Sequence, residues 1–181
     1  MTTATHATET VQMYRVYIKA TPEAIWEAVT KPEWTIKYGY APLVDYDLRA
    51  GGAFRAYANE GMKALGCPEV ISDGEVIEAD PPCKLVQTWR MTMTPEMAAE
   101  AFTRLIYEIE PVRGGVSKLT VIHDVSGAPL WAAVLRGESE SGGAGGGWSE
   151  ILSGLKTLLE TGEQLPFQSG PEGMGPEGPR R

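Results

Sequence analysis

Trp148, Ile151, Leu152, Leu155, Leu158 and Leu159 recur at helical spacing and mark one apolar face on a C-terminal helix. The stripe ends at Gly162, a residue suited to the left-handed position just past a helix end. A helix of this length draws most of its stability from packing, so its apolar face must be covered by something else in the chain. The preceding residues supply the cover, because most of them read as strands. A helix laid on one face of an antiparallel sheet is an α+β architecture, and that is the expected fold class.

The strands are read from alternation. Met13–Lys19 places Tyr14, Val16 and Ile18 on one face. Thr21-Pro22-Glu23 then opens a helix: Thr21 caps, Pro22 fits the first turn, and Glu23 suits the positive end of the dipole. Lys31-Pro32 stops it, since a residue before proline is pushed out of the α region. A short helical or irregular piece, Glu33–Tyr40, carries Trp34 and Tyr38. Leu43–Arg49 and Ala53–Asn59 flank Ala50-Gly51-Gly52 as a hairpin. Gly74–Ala79, Lys84–Met93, Thr103–Glu110 and Val116–Val125 complete the strands. Pro95–Ala101 reads as a short helix or edge insertion, and Pro129–Arg136 as one or two helical turns. Residues 137–147 form a glycine-rich linker. The expected division is a disordered N-terminus over 1–12, one domain over 13–165, and a disordered Gly/Pro-rich tail over 166–181.

Several function classes are excluded early. Sixteen Lys+Arg stand against 24 Asp+Glu, a formal net charge of -8, which disfavours nucleic acid as a partner. No apolar run approaches the roughly 18 residues of a membrane span, so no membrane insertion is expected. The N-terminus carries neither the basic nor the apolar region of a secretory signal. The two cysteines, Cys67 and Cys83, form no framework, which suits a reduced, cytoplasmic setting. His123 and Asp124 are strand neighbours pointing to opposite faces, so no metal site is expected. No phosphate-binding glycine loop or nucleophile elbow occurs, and no cofactor is expected.

What chemistry the chain does offer lies on one parity of adjacent strands. Leu85, Gln87, Trp89 and Met91 share a face, as do Leu105 and Tyr107, and Leu119, Val121 and His123. An apolar chamber with a few directed polar groups describes a small-molecule site, whereas the same residues could equally fill a packed core. Gln87, a buried amide, wants a partner. His123 reads as a hydrogen-bonded interior histidine or as a ligand contact or proton shuttle.

Four short motifs sit in order along the chain: Pro22, Trp26 and Ala28; Asp47, Arg49, Gly51 and Gly52; Thr88 and Trp89; and Gly147, Trp148 and Leu152. Together, over about residues 13–162, they resemble the activator-of-Hsp90-ATPase-like branch of the START-like, SRPBCC superfamily. The resemblance implies a helix-grip fold, a sheet curled around the C-terminal helix with a cavity between them. It implies a small hydrophobic ligand held by Trp34, Tyr38, Leu85, Gln87, Trp89, Met91, Leu105, Tyr107, Val121, His123, Trp148 and Leu152. A cyclase- or hydrolase-like enzyme using the same cavity, with His123 and Tyr107 as its catalytic groups, is the alternative. Modulation of an Hsp90-type chaperone comes last, because these residues hold no counterpart of the separate N-terminal domain used by the eponymous member. Pairing into a homodimer is a further expectation. The stretches 95–102 and 126–147 depart from the simplest family pattern near the cavity mouth, where they would form a lid or merely decorate it. The acidic surface favours neutral or weakly polar ligands over polyanions.

Overall fold

The computed structural model describes residues 10–138 and 147–166. The linker residues 139–146 and most of the tail segment lie outside the described residues. Seven antiparallel strands form one sheet: β1 (Val11–Ile18), β2 (Leu43–Tyr46), β3 (Ala53–Tyr57), β4 (Val70–Asp80), β5 (Lys84–Met91), β6 (Thr103–Arg113) and β7 (Val116–Asp124). Their order across the sheet is β1-β7-β6-β5-β4-β3-β2. Every neighbour after β2 is thus a sequential hairpin partner except β1, which crosses to pair with β7 from Val11↔Asp124 to Ile18↔Ser117. The N-terminal strand therefore starts at Val11, two residues earlier than the alternation suggested, and Thr10 extends the pairing by accepting from Val125 N at 2.7 Å.

Helix α1 (Pro22–Thr30) begins as its sequence dictates. Thr21 Oγ1 accepts from Ala24 N at 3.2 Å, and Lys31 is extended where α2 (Pro32–Thr35) restarts the chain. α6 (Gly147–Thr161) ends at Gly162, whose φ of 77° and N–H bond to Leu158 O at 2.8 Å close the last turn. α3 (Glu60–Ala64) was not expected. Asn59, read as the end of a strand, is its cap, accepting from Met62 N at 2.9 Å. α4 (Pro95–Ala98) and α5 (Pro129–Leu135) occupy the two stretches that depart from the family pattern.

One core joins the sheet to the helices. Ile25, Trp26 and Val29 from α1 meet Leu85, Leu105, Ile109, Leu119 and Val121 from the sheet and Leu152 and Leu155 from α6. The grip closes around α6 through two glycines. A Cβ on Gly154 would lie 3.3 Å from Gly39 N, and Gly39, at φ 57°, already has Ile151 Cγ1 at 3.1 Å from its own Cβ position. Glycine at both positions lets the 38–40 loop lie this close to the helix without a shift of either segment. Tyr38 then anchors the loop, donating its hydroxyl to Ala28 O at 2.8 Å.

Candidate functional site

The inner face of β5, β6 and β7 carries the site, and its register is regular. Leu85 pairs with Tyr107, which pairs with Val121; Gln87 pairs with Leu105, which pairs with His123; Trp89 pairs with Thr103. Leu85, Gln87, Leu105, Val121 and His123 are buried at 1% exposure or less, so the inward parity read from sequence is the parity of the fold.

His123 sits at the centre of a hydrogen-bond relay. The Trp148 indole Nε1–H donates to His123 Nδ1 at 3.2 Å. His123 Nε2 lies 2.8 Å from Thr103 Oγ1, whose own proton goes to Trp89 O at 2.7 Å. Because that hydroxyl has a single proton, it must accept from the imidazole, which fixes His123 as the neutral Nε2–H tautomer. Burial holds the imidazole pKa down to about 4, against a smaller opposing pull from Asp124. Asp124 points the other way and takes its bonds from Ser126. Neither ring nitrogen retains a free lone pair, so a general-base role for His123 has no geometric support.

Aromatic rings enclose this relay. Trp89 meets His123 edge-on at 5.5 Å between centroids, and Trp148 meets both His123 at 6.0 Å and Tyr107 at 5.9 Å in the same manner. Trp131, from α5, lies 4.7 Å from Trp89 at 36° and 6.5 Å from His123. Trp131 and Thr103 were not among the residues picked from sequence. Thr103 shares the parity of Leu105 and Tyr107, a signal that was available. Trp131 gives no such signal, because its helix is only seven residues long.

Beyond Tyr107 the site becomes a cluster of phenols around an amide. Tyr46, also missed, donates its hydroxyl to Gln87 Oε1 at 2.9 Å. Burial raises the pKa of Tyr38, Tyr46 and Tyr107 well above the phenol range, and the nearness of the others adds to the rise at Tyr46 and Tyr107. All three are neutral at any ordinary pH. Among the remaining predicted residues, Leu152 joins the core, and Trp34 packs on it beneath the Lys37 ammonium at 4.9 Å. Met91 stands apart: it lies opposite Ser72 at the end of β5, and neither core cluster includes it.

The two departures from the family pattern are clasped together over this aromatic end. The Glu100 carboxylate accepts from Leu130 N at 2.6 Å and Trp131 N at 3.2 Å, and Ala101 N donates to Gly127 O at 3.4 Å. Arg90 holds the base of the clasp through Ala98 O at 3.0 Å and a two-point bond to Asp73. Replacing Glu100 with Ala should free the first turn of α5, raising exchange of the Leu130 and Trp131 amides about tenfold by hydrogen–deuterium exchange. Unchanged exchange at both amides would show that the carboxylate does not hold the cover.

A groove of about 350 Å³ lies on the opposite, outer face, lined by Arg55, Asp73, Glu75, Thr88 and Phe102 among others. It has no connection with the relay. Among the described residues, no group of three or more His, Cys, Asp or Glu side chains could hold a metal ion, and no helix is long and apolar enough to cross a membrane.

Residues 19–160 match the family model described as Activator of Hsp90 ATPase homolog 1-like protein. The fold is shared with several solved structures. An HSP90 activator from Plasmodium falciparum is 18% identical, with 83% of this chain and 96% of that one aligned at a TM-score of 0.57. The Aha1 dimer from Colwellia psychrerythraea is 17% identical over 84% and 97% of the two chains, again at 0.57. DynU16, from the dynemicin biosynthetic locus, is 18% identical over 86% of this chain and 49% of its own, at 0.61. No curated protein matches the sequence.

Proposed function

As the chain belongs to the activator of Hsp90 ATPase homolog 1-like family, we propose that it holds a small, mainly hydrophobic molecule between the sheet and α6. The observation that carries this reading is the cover. Trp131 stacks on Trp89 beneath a short helix whose first turn is held by one carboxylate from a separate loop. A cover fastened at so few points, over rings rather than aliphatic filler, suits a site that opens and closes. The ligand would lie against Trp131, Trp89, Tyr107 and Trp148, with Leu85, Leu105, Val121 and Leu152 as the apolar walls behind. Trp34 and Tyr38 would border the far side, and Met91 only the rim.

The test is thermal stabilisation. A ligand present at about 100 times its dissociation constant adds roughly 2.7 kcal/mol. In a domain of this size that raises Tm by about 5–10 °C. A panel of lipids, aromatics and polyketides that leaves Tm unmoved would remove the proposal.

A cyclase- or hydrolase-like activity in the same space is the weaker reading, since His123 has both nitrogens engaged and Tyr107 is held neutral. Chaperone modulation has behind it the likeness to an HSP90 activator, and absence of any effect on Hsp90 ATPase rate would dismiss it. Homodimer formation stays a proposal on the exposed Val11, Met13 and Tyr17 of edge strand β1; a monomer at every concentration in ultracentrifugation would end it. A reducing, cytoplasmic setting likewise stays a proposal, on the two unpaired cysteines.

A further inference from the structure

Two buried donors in this site have no acceptor among the described residues: Gln87 Nε2 and Trp131 Nε1. A buried polar group left without a partner costs about 1–3 kcal/mol, so two of them in one neighbourhood require an explanation. They are in one neighbourhood. Gln87 and Trp89 are successive inward residues of β5, about 7 Å apart along the strand. The Trp131 ring stacks on Trp89. One donor therefore lies beside the Trp89 indole along the strand, and the other is carried by the ring that covers it.

The rest of the amide is fixed. Gln87 Oε1 is taken by the Tyr46 hydroxyl, which orients the side chain and leaves the NH₂ as its only free function. Gln87 itself has 0% exposure, so bulk solvent does not reach that donor.

We propose that Gln87 Nε2 and Trp131 Nε1 recognise a hydrogen-bond acceptor oxygen on the ligand, and that the ligand is a neutral aromatic or conjugated compound bearing a carbonyl. This deepens, and rests on, the reading of the site as a hydrophobic binding site. The donors call for an acceptor. The edges and faces of Trp89, Tyr107 and Trp148 call for a flat, unsaturated body. Neutrality follows from the company: Tyr38, Tyr46, Tyr107, Gln87, His123 and the indoles are all uncharged, and none supplies the cation that a buried carboxylate would require.

The experiment uses matched pairs that differ by the carbonyl alone: 1-indanone against indane, and 9-fluorenone against fluorene. Affinities are measured by NMR titration of the indole N–H signals in the full chain. The ketone of at least one pair should bind about tenfold more tightly than its hydrocarbon. Gln87→Leu and Trp131→Phe should each remove most of that preference. The second variant keeps the ring stack and so guards against a folding defect in the first. Equal binding of ketone and hydrocarbon, or a preference that survives both variants, overturns the inference and leaves the hydrophobic site standing. An indane-1-carboxylate that binds as tightly as the ketone overturns the neutral-ligand part. No binding of any member also overturns the inference, and the thermal-shift panel of lipids, aromatics and polyketides then decides the reading beneath it.

Discussion

Between pH 6.5 and 4 the folded protein should lose about 3 kcal/mol of stability through His123 alone. The unfolded chain takes up the imidazole proton near pH 6.5, whereas the folded protein takes it up only near pH 4. In that window the unfolded state binds more protons, so stability is fully present above pH 6.5 and falls as the pH drops. The main cause is burial, and the relay adds to it. A second proton would have to sit on Nδ1, where the Trp148 N–H already points, and two donors would then face each other. Urea unfolding of the wild type and of His123→Gln at pH 7, 5.5 and 4.5 isolates the effect, because carboxylates remote from the imidazole, such as Glu160, contribute equally to both proteins. The gap between the two should narrow by about 2 kcal/mol between pH 7 and 4.5. A constant gap would mean that the imidazole is not held neutral.

Trp148→Ala should be the most damaging single substitution in the site, costing about 3–5 kcal/mol. The indole packs on the core from the first turn of α6, touches Tyr107 and His123 edge-on, and supplies the only donor to His123 Nδ1 among the described residues. Trp148→Phe separates these contributions. It keeps most of the ring and loses the N–H, so it should cost about 1–3 kcal/mol, the value of one buried acceptor left unmet. With that donor gone, Nδ1 can accept a proton, and the pH dependence attributed to His123 should weaken in the same variant. Denaturation midpoints measure the first effect, and their pH series the second. Equal stability of Phe and Trp at position 148 would show that the relay contributes nothing.

The parts of this site that were legible in the sequence are those set by period. Strand alternation put Gln87, Trp89, Tyr107 and His123 on one face, and this held because β5, β6 and β7 pair over these residues without a bulge. The 148–159 stripe identified the helix that the sheet must cover. Met91 shows where parity stops being enough: it has the right phase but stands at the end of its strand, beyond the packed region. Tyr46 was missed because its importance comes from Gln87, 41 residues away, in a strand of only four residues. The clasp was illegible for a similar reason. Glu100 and Trp131 are joined by a carboxylate on backbone amides, a contact between two irregular segments that leaves no repeating trace in either.

The crossing of β1 to β7 has a consequence in time. Ile18 cannot meet Ser117 until the ribosome has added 99 more residues, roughly 5–20 s at common rates of synthesis. Through that interval the first strand has no partner, and Tyr14, Val16 and Ile18 have nothing to pack against. The hairpins from β2 to β7 are local and can assemble as they emerge; the sheet is finished only when its oldest strand is added last. Refolding of the full chain should therefore be limited by this long-range closure rather than by any hairpin. During synthesis, the exposed segment most in need of shelter is the one made first.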